Sequence, residues 1–184
     1  MSEPLITAPP DGWSTADLDE LPESNQRYEL TDGAITVSPS PSNLHQWVAH
    51  NLGHVLAGQL PDAYTVAFAV EVRFAPQLTR IPDVLVVRSD DPGRHWFSPA
   101  EIVVAAEVES RGSHVEDRTT KPALYAQYGI PHYWRIEQEP LRVTVYRSGP
   151  TDSYVVGTTS DTLKVTEPFP IDLPLAELLP RWAR

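Results

Sequence analysis

Two unbroken apolar stretches, "VLVV" at 84–87 and "IVVAA" at 102–106, constrain the fold most. Strands that read as continuous Val/Ile/Leu runs, without alternation, are covered on both faces. The chain must therefore hold a sheet inside, with helices packed against it. Each run is bordered by an acid. Asp83 opens the first directly after Pro82, in "IPDVLVV", and Glu107 stands near the end of the second, in "EIVVAAEVES". An ionised carboxylate on a buried strand is costly unless it is paired or coordinates a metal. Period-two alternation puts Val103, Ala105, Glu107 and Glu109 on one face of the second strand. If the two strands pair, Asp83 and Glu107 converge at one edge of the sheet. Hard oxygen ligands of this kind suit Mg2+ or Mn2+.

The other segments supply strands and cover. "STADLDELP" (14–22) reads as a short helix with Ser14 as its N-cap. "QRYEL" and "AITVSP" form a hairpin turned by Asp-Gly. "PSNLHQWVAHNLGHVLAGQL" carries Leu44, Trp47, Val48, Leu52, Val55 and Leu56 at helical spacing. "YTVAFAVEVRF" (64–74) alternates as a single strand, with Val66, Phe68, Val70, Val72 and Phe74 on one face. A second helix is expected from about Thr119 to Tyr128, with Pro122 in its first turn, where a missing N–H costs little. "GIPHYWRIE" begins another strand, "LRVTVYR" and "SYVVGT" a late hairpin, and "IDLPLAELLP" a closing short helix. The order predicts an α/β (α+β) fold with a mixed central sheet flanked by helices.

With 184 residues the chain fits one domain: an N-terminal extension over 1–22, a core over 26–147, and a C-terminal hairpin and short helix over 148–184. No stretch reaches the ~18 consecutive apolar residues of a membrane span. The start, "MSEPLITAPPDGW", lacks the basic and apolar regions of a signal peptide. The expected location is therefore cytoplasmic. The absence of cysteine excludes disulfides and thiolate metal sites. The net charge of −11 runs against the basic footprint usual in nucleic-acid binders, though it does not forbid a local basic groove.

"SRGSHVEDRTTKPALY" follows the second apolar strand. Lys121, at the start of the expected helix, can reach back over the strand end. A lysine beside a metal and its water would orient the nucleophile or stabilise developing phosphorane charge. Plainer readings stand beside these. Asp83 can cap a turn after proline. Glu107 can pair with an arginine such as Arg73 or Arg135, Glu29 with a surface arginine, and Asp117 with Lys121 as an ordinary i,i+4 couple. "HNLGH" spaces two histidines like H-E-x-x-H, but position 51 is Asn, so His50 and His54 read as surface residues. Tyr125, Tyr128, Tyr133 and Trp134 suit core packing better than a base-stacking platform. No Gly-rich phosphate loop is present.

"RYELTDGAITVSPSPSNLHQ", "IPDVLVV", "VVAAEVES", "DRTTKPALYAQYGIPHYW" and "VTVYR" occur in an order and spacing that resemble the Uma-two (Uma2) family, part of the restriction-endonuclease-like PD-(D/E)XK group. The resemblance spans about residues 26–147. It implies a restriction-endonuclease-like core with an N-terminal β-hairpin and extra C-terminal strands, and a Mg2+- or Mn2+-dependent endonuclease acting on DNA. Asp83 matches the family's PD aspartate and Glu107 the glutamate of the next core strand; these two would bind the metal. Lys121 matches a lysine that this family carries on the following helix and completes the catalytic set. Glu29 and His45 match supporting motif positions, and a helical wheel places His45 at the edge of the apolar stripe. In the wider group the lysine stands two residues after the glutamate, where this chain has Glu109, which would add charge to the site, ligate, or turn to solvent. "SRGSH" also departs from the family pattern. Many nucleases of the group act as dimers, so a homodimer is implied too. The alternatives are a catalytically inactive nuclease fold used as a binding module, and a hydrolase of another phosphate ester.

Overall fold

The computed structural model describes residues 8–22, 26–88, 91, 93–110, 112–149 and 154–183. The N-terminal stretch 1–7 and the turn of the late hairpin, with Ser153, lie outside the described residues. Helix α1 (Thr15–Asp19) is closed at its start by a reciprocal cap. The Ser14 hydroxyl accepts from the Asp17 amide, and the Asp17 carboxylate accepts from the Ser14 amide. Strands β1 (Arg27–Thr31) and β2 (Ala34–Ser38) pair antiparallel around Asp32 and Gly33. Both turn residues have positive φ, 49° and 78°, as a tight two-residue hairpin demands. Helix α2 (Asn43–Gln59) is capped by Ser42 and buries Val48, Leu52 and Leu56 completely. Each contributes about 1.5–3 kcal/mol of apolar burial.

The expected single strand over 64–74 is two strands. Strand β3 (Thr65–Phe68) ends at Ala69, whose φ of 51° turns the chain, and β4 (Glu71–Ala75) joins a different sheet with β5 (Leu78–Arg80) and β7 (Trp96–Phe97). The alternation is broken there, so Val72 and Phe74 are buried while Phe68 is exposed. Trp47, expected on the apolar stripe of α2, is exposed as well.

Between these, β6 (Val84–Val87) is buried throughout, as is β8 (Ile102–Val108). A π-helical turn, Glu116–Thr120, leads into α3 (Lys121–Gln127), where a plain α-helix from Thr119 was expected. Then come β9 (His132–Gln138), β10 (Leu141–Ser148), β11 (Tyr154–Thr159), β12 (Thr162–Val165) and β13 (Ile171–Pro174). The closing segment begins as strand β13 and only then makes a 3₁₀ turn, Leu175–Leu178, which corrects the helix expected over it.

Six strands form the central sheet in the order β11-β10-β9-β8-β6-β3. Every junction is antiparallel except β8 with β9, so the sheet is mixed. One face packs Val84, Val86, Val104 and Trp134 against α2 and the β12–β13 hairpin. The other packs Leu85, Ala105 and Tyr133 against α3 and Phe74. The tyrosines belong to this second layer: Tyr125 stacks on Phe74 and meets Tyr133 edge-on, which settles them as core. No helix among the described residues is long and apolar enough to cross a membrane.

His132, buried where β9 begins and opposite Arg147 of β10, has its pKa depressed to about 4 by burial and by that guanidinium. The unfolded histidine takes up its proton near 6.5, before the folded one does. Stability therefore falls as pH drops from about 6.5 to about 4, by about 1–2 kcal/mol once residual solvent screening is discounted. In urea melts over a pH series, His132→Gln is expected to flatten the loss in that window.

Candidate active site

The pairing of β6 with β8 brings the two bordering acids together. Val84 stands opposite Ala106, so one step further along the ladder Asp83 stands opposite Glu107. The Val108 amide donates to Asp83 Oδ2 at 2.9 Å, which fixes the aspartate across the strand gap. Both carboxylates line a cleft of about 720 Å³, with Arg27, Glu29, His45, Asp117 and Lys121 also on its walls.

Glu107 is almost fully buried. Its Oε1 accepts from the Tyr125 hydroxyl at 3.0 Å and lies 2.9 Å from Lys121 Nζ. Its predicted guanidinium partners are engaged elsewhere: Arg73 with Asp19 and Glu71, Arg135 with Glu109 and Glu137. Burial pushes the Glu107 carboxyl up to about 8; Lys121 opposes this, while the nearby Asp83 and Asp117 add to it. Lys121 is buried, not the solvated residue its type suggests. Burial alone would lower its pKa, but Glu107, Asp117 and Glu29 raise it, so the ammonium stays charged. Asp83 is held by Val108, by His45 Nε2 at 3.1 Å from Oδ1, and by Arg27 Nη1 at 3.4 Å. Burial works against ionisation, yet these partners outweigh it and keep its pKa below the ordinary value. Glu29 reaches the same region through its Oε1, which accepts from the Ile81 amide at 2.7 Å.

Among the described residues no group of three or more His, Asp or Glu side chains is arranged to hold a metal ion by itself. Magnesium does not need such a cage. It is commonly held by one or two carboxylates, with water and substrate phosphate completing the shell. The donors here fit: hard carboxylate oxygens of Asp83 and Glu107, brought together by the β6–β8 pairing at the wall of an open cleft.

The Uma2 family model, described as "Putative restriction endonuclease", matches residues 15–176. The chain belongs to the Uma2 family. A solved structure with the same fold is that of a "putative nuclease belonging to DUF820" from Anabaena variabilis. It has 16% identity and a TM-score of 0.73, and the match covers 93% of this chain and 99% of that one. No curated protein matches the chain.

In this Uma2 chain Glu109 neither joins the carboxylate pair nor turns to solvent. It is buried and bound by Arg118, Arg135 and His114. Burial would raise its pKa, and those cations bring it below the ordinary value. Three residues at the site were not assigned to it from sequence. Arg27 carries no local signal, and Tyr125 reads only as a core-packing ring. Asp117 was visible only as an i,i+4 partner of Lys121. It is buried, with Oδ1 2.9 Å from Lys121 Nζ and a hydrogen bond from the Ser113 hydroxyl.

Proposed function

We propose that this Uma2 protein is a Mg2+- or Mn2+-dependent endonuclease that hydrolyses DNA phosphodiester bonds. The observation that carries the reading is Asp83 facing Glu107 at the mouth of two paired strands, with the Lys121 ammonium against Glu107. Asp83 and Glu107 are the residues that would hold the cation, which supplies Lewis acidity toward the phosphate and an acidified water.

The chain's own groups have separable tasks. Lys121 stays protonated, so it does not serve as the base; it places a fixed positive charge where charge builds on the phosphate oxygens. Asp117 holds that ammonium from one side and Glu107 from the other. Tyr125, whose own pKa is raised by burial and by Glu107, remains a donor and locks the glutamate's orientation. His45 and Arg27 orient Asp83, and Glu29 anchors the backbone at Ile81, just before Pro82 and Asp83. Water attacks phosphorus and releases a proton to solvent as one ester P–O bond breaks, and the departing oxygen takes a proton up from solvent.

The test is incubation of supercoiled plasmid and of single-stranded DNA with purified protein and Mg2+ or Mn2+, beside Asp83→Ala. Nicking by the wild type alone is expected; equal nicking by both proteins refutes the assignment. The second reading, a catalytically silent nuclease fold that binds a partner, draws on the net charge of −11. Calorimetry separates the two, because a silent fold takes up neither cation at millimolar concentration.

A further inference from the structure

The cleft continues past Asp83 along one flank of α2. A second hollow, about 400 Å³, shares Arg27, His45 and Asp83 with the first and extends to His50 and Phe68. A third, about 560 Å³, begins at His50 and Phe68 and runs past His54, Asp62 and Tyr64. Arg88, exposed, lies over the Tyr64 ring at 6.0 Å. The three hollows form one track from the carboxylate pair to the far end of α2.

Phe68 stands in the middle of that track. It is the last residue of the edge strand β3, paired opposite Val84, and the next amide, that of Ala69, donates to the Asp83 carbonyl. Nearly half of this large apolar residue is exposed, at 45%. Its ring lies roughly parallel to the His50 imidazole, with centroids 6.1 Å apart. A β-carbon on Gly53 would fall 2.2 Å from the Phe68 ring tip, so the glycine leaves the seat in which the ring lies.

We infer that this track binds a single strand of DNA, with an unpaired base stacked on Phe68 beside the Asp83 end of the cleft. The inference deepens the endonuclease reading, on which it rests for the strand's fate but not for its binding. Charge supports it. A chain of net −11 is poorly placed to neutralise the dense phosphates of a duplex. Stacking on an aromatic face is tolerant of base identity and adds affinity beyond what cations supply, and a single strand carries a lower charge density than a duplex. Past Asp83 the track carries Arg27 at one end and Arg88 at the other against Asp62 and Asp83, while Glu29, Glu107 and Asp117 are confined to its catalytic end.

The experiment is fluorescence anisotropy with a labelled oligonucleotide and with the blunt duplex of the same sequence. Chelator is present, so that cleavage plays no part. The wild type is expected to prefer the single strand by roughly ten-fold or more. Phe68→Ala and Phe68→Leu are both expected to bring the ratio toward one, the leucine showing that a π face and not apolar bulk is required. Gly53→Ala, which unseats the ring while keeping it, should do the same. Equal wild-type affinity for both DNAs, or a ratio unmoved by all three variants, overturns the inference. If plasmid is nicked while the ratio is flat, the inference alone fails. If Phe68-dependent binding holds without any nicking, the endonuclease reading alone fails.

Discussion

Glu107→Gln is expected to give a protein that melts higher than the wild type and no longer cuts. A carboxyl held at about 8 by burial and by its acidic neighbours disfavours the folded state wherever the unfolded chain has already lost the proton. The unfolded glutamate ionises near 4.5 and the folded one near 8, so the native state loses stability as pH rises across that window. The glutamine has no proton to lose, and its carbonyl oxygen still accepts from Tyr125 and Lys121. The gain from the substitution is therefore absent below about pH 4.5 and complete at about 8, where it should reach at most about 5 kcal/mol. Thermal melts of the cation-free proteins at several pH values measure it. Cleavage should fall by on the order of 10³-fold, since a ligand of the proposed cation is gone. A Glu107→Gln protein that nicks plasmid at the wild-type rate would remove Glu107 from the chemistry.

Lys121→Met has the opposite stability signature. The ammonium lies 2.9 Å from both Glu107 and Asp117, and all three groups are buried. Removing the ammonium leaves the buried Asp117 carboxylate uncompensated, at about 3–5 kcal/mol. For a chain of this size the melting temperature should drop by roughly 10 °C. Combining Lys121→Met with Glu107→Gln should recover part of that loss, because the two positions are coupled and their effects do not add. Activity should not return with stability, since the double variant lacks both the carboxylate and the fixed positive charge. Additive stability effects in the cycle would show that the pair is uncoupled.

The acids were legible for a simple reason. Asp83 and Glu107 interrupt apolar runs that can only be buried strands, and antiparallel pairing does the rest. The central mixed sheet followed from the same runs. Other features depended on single backbone choices that periodicity does not register. Ala69 adopts a left-handed conformation in mid-pattern, which sends β3 and β4 into different sheets and exposes Phe68. Asp117 could not be placed inside from spacing, because an i,i+4 pair reads the same on an exposed or a buried turn. Its burial comes from the π-helical turn and from the Tyr133 hydroxyl, which donates to the Asp117 carbonyl. Glu109 could not be assigned from spacing alone, because its partners Arg118 and Arg135 come from the π turn and the neighbouring strand.

That π turn makes the stretch between Glu107 and α3 a length gauge. Successive side chains in a helix are rotated by about 100° about its axis, and the wider π turn accommodates one residue beyond the α-helical repeat. Adding or deleting a single residue between Glu116 and Thr120 would swing the amine off its two acids, while a substitution there at an exposed position such as Thr119 would leave the phase intact. In this part of the chain, natural variation should therefore run to changes of side chain and not to changes of length.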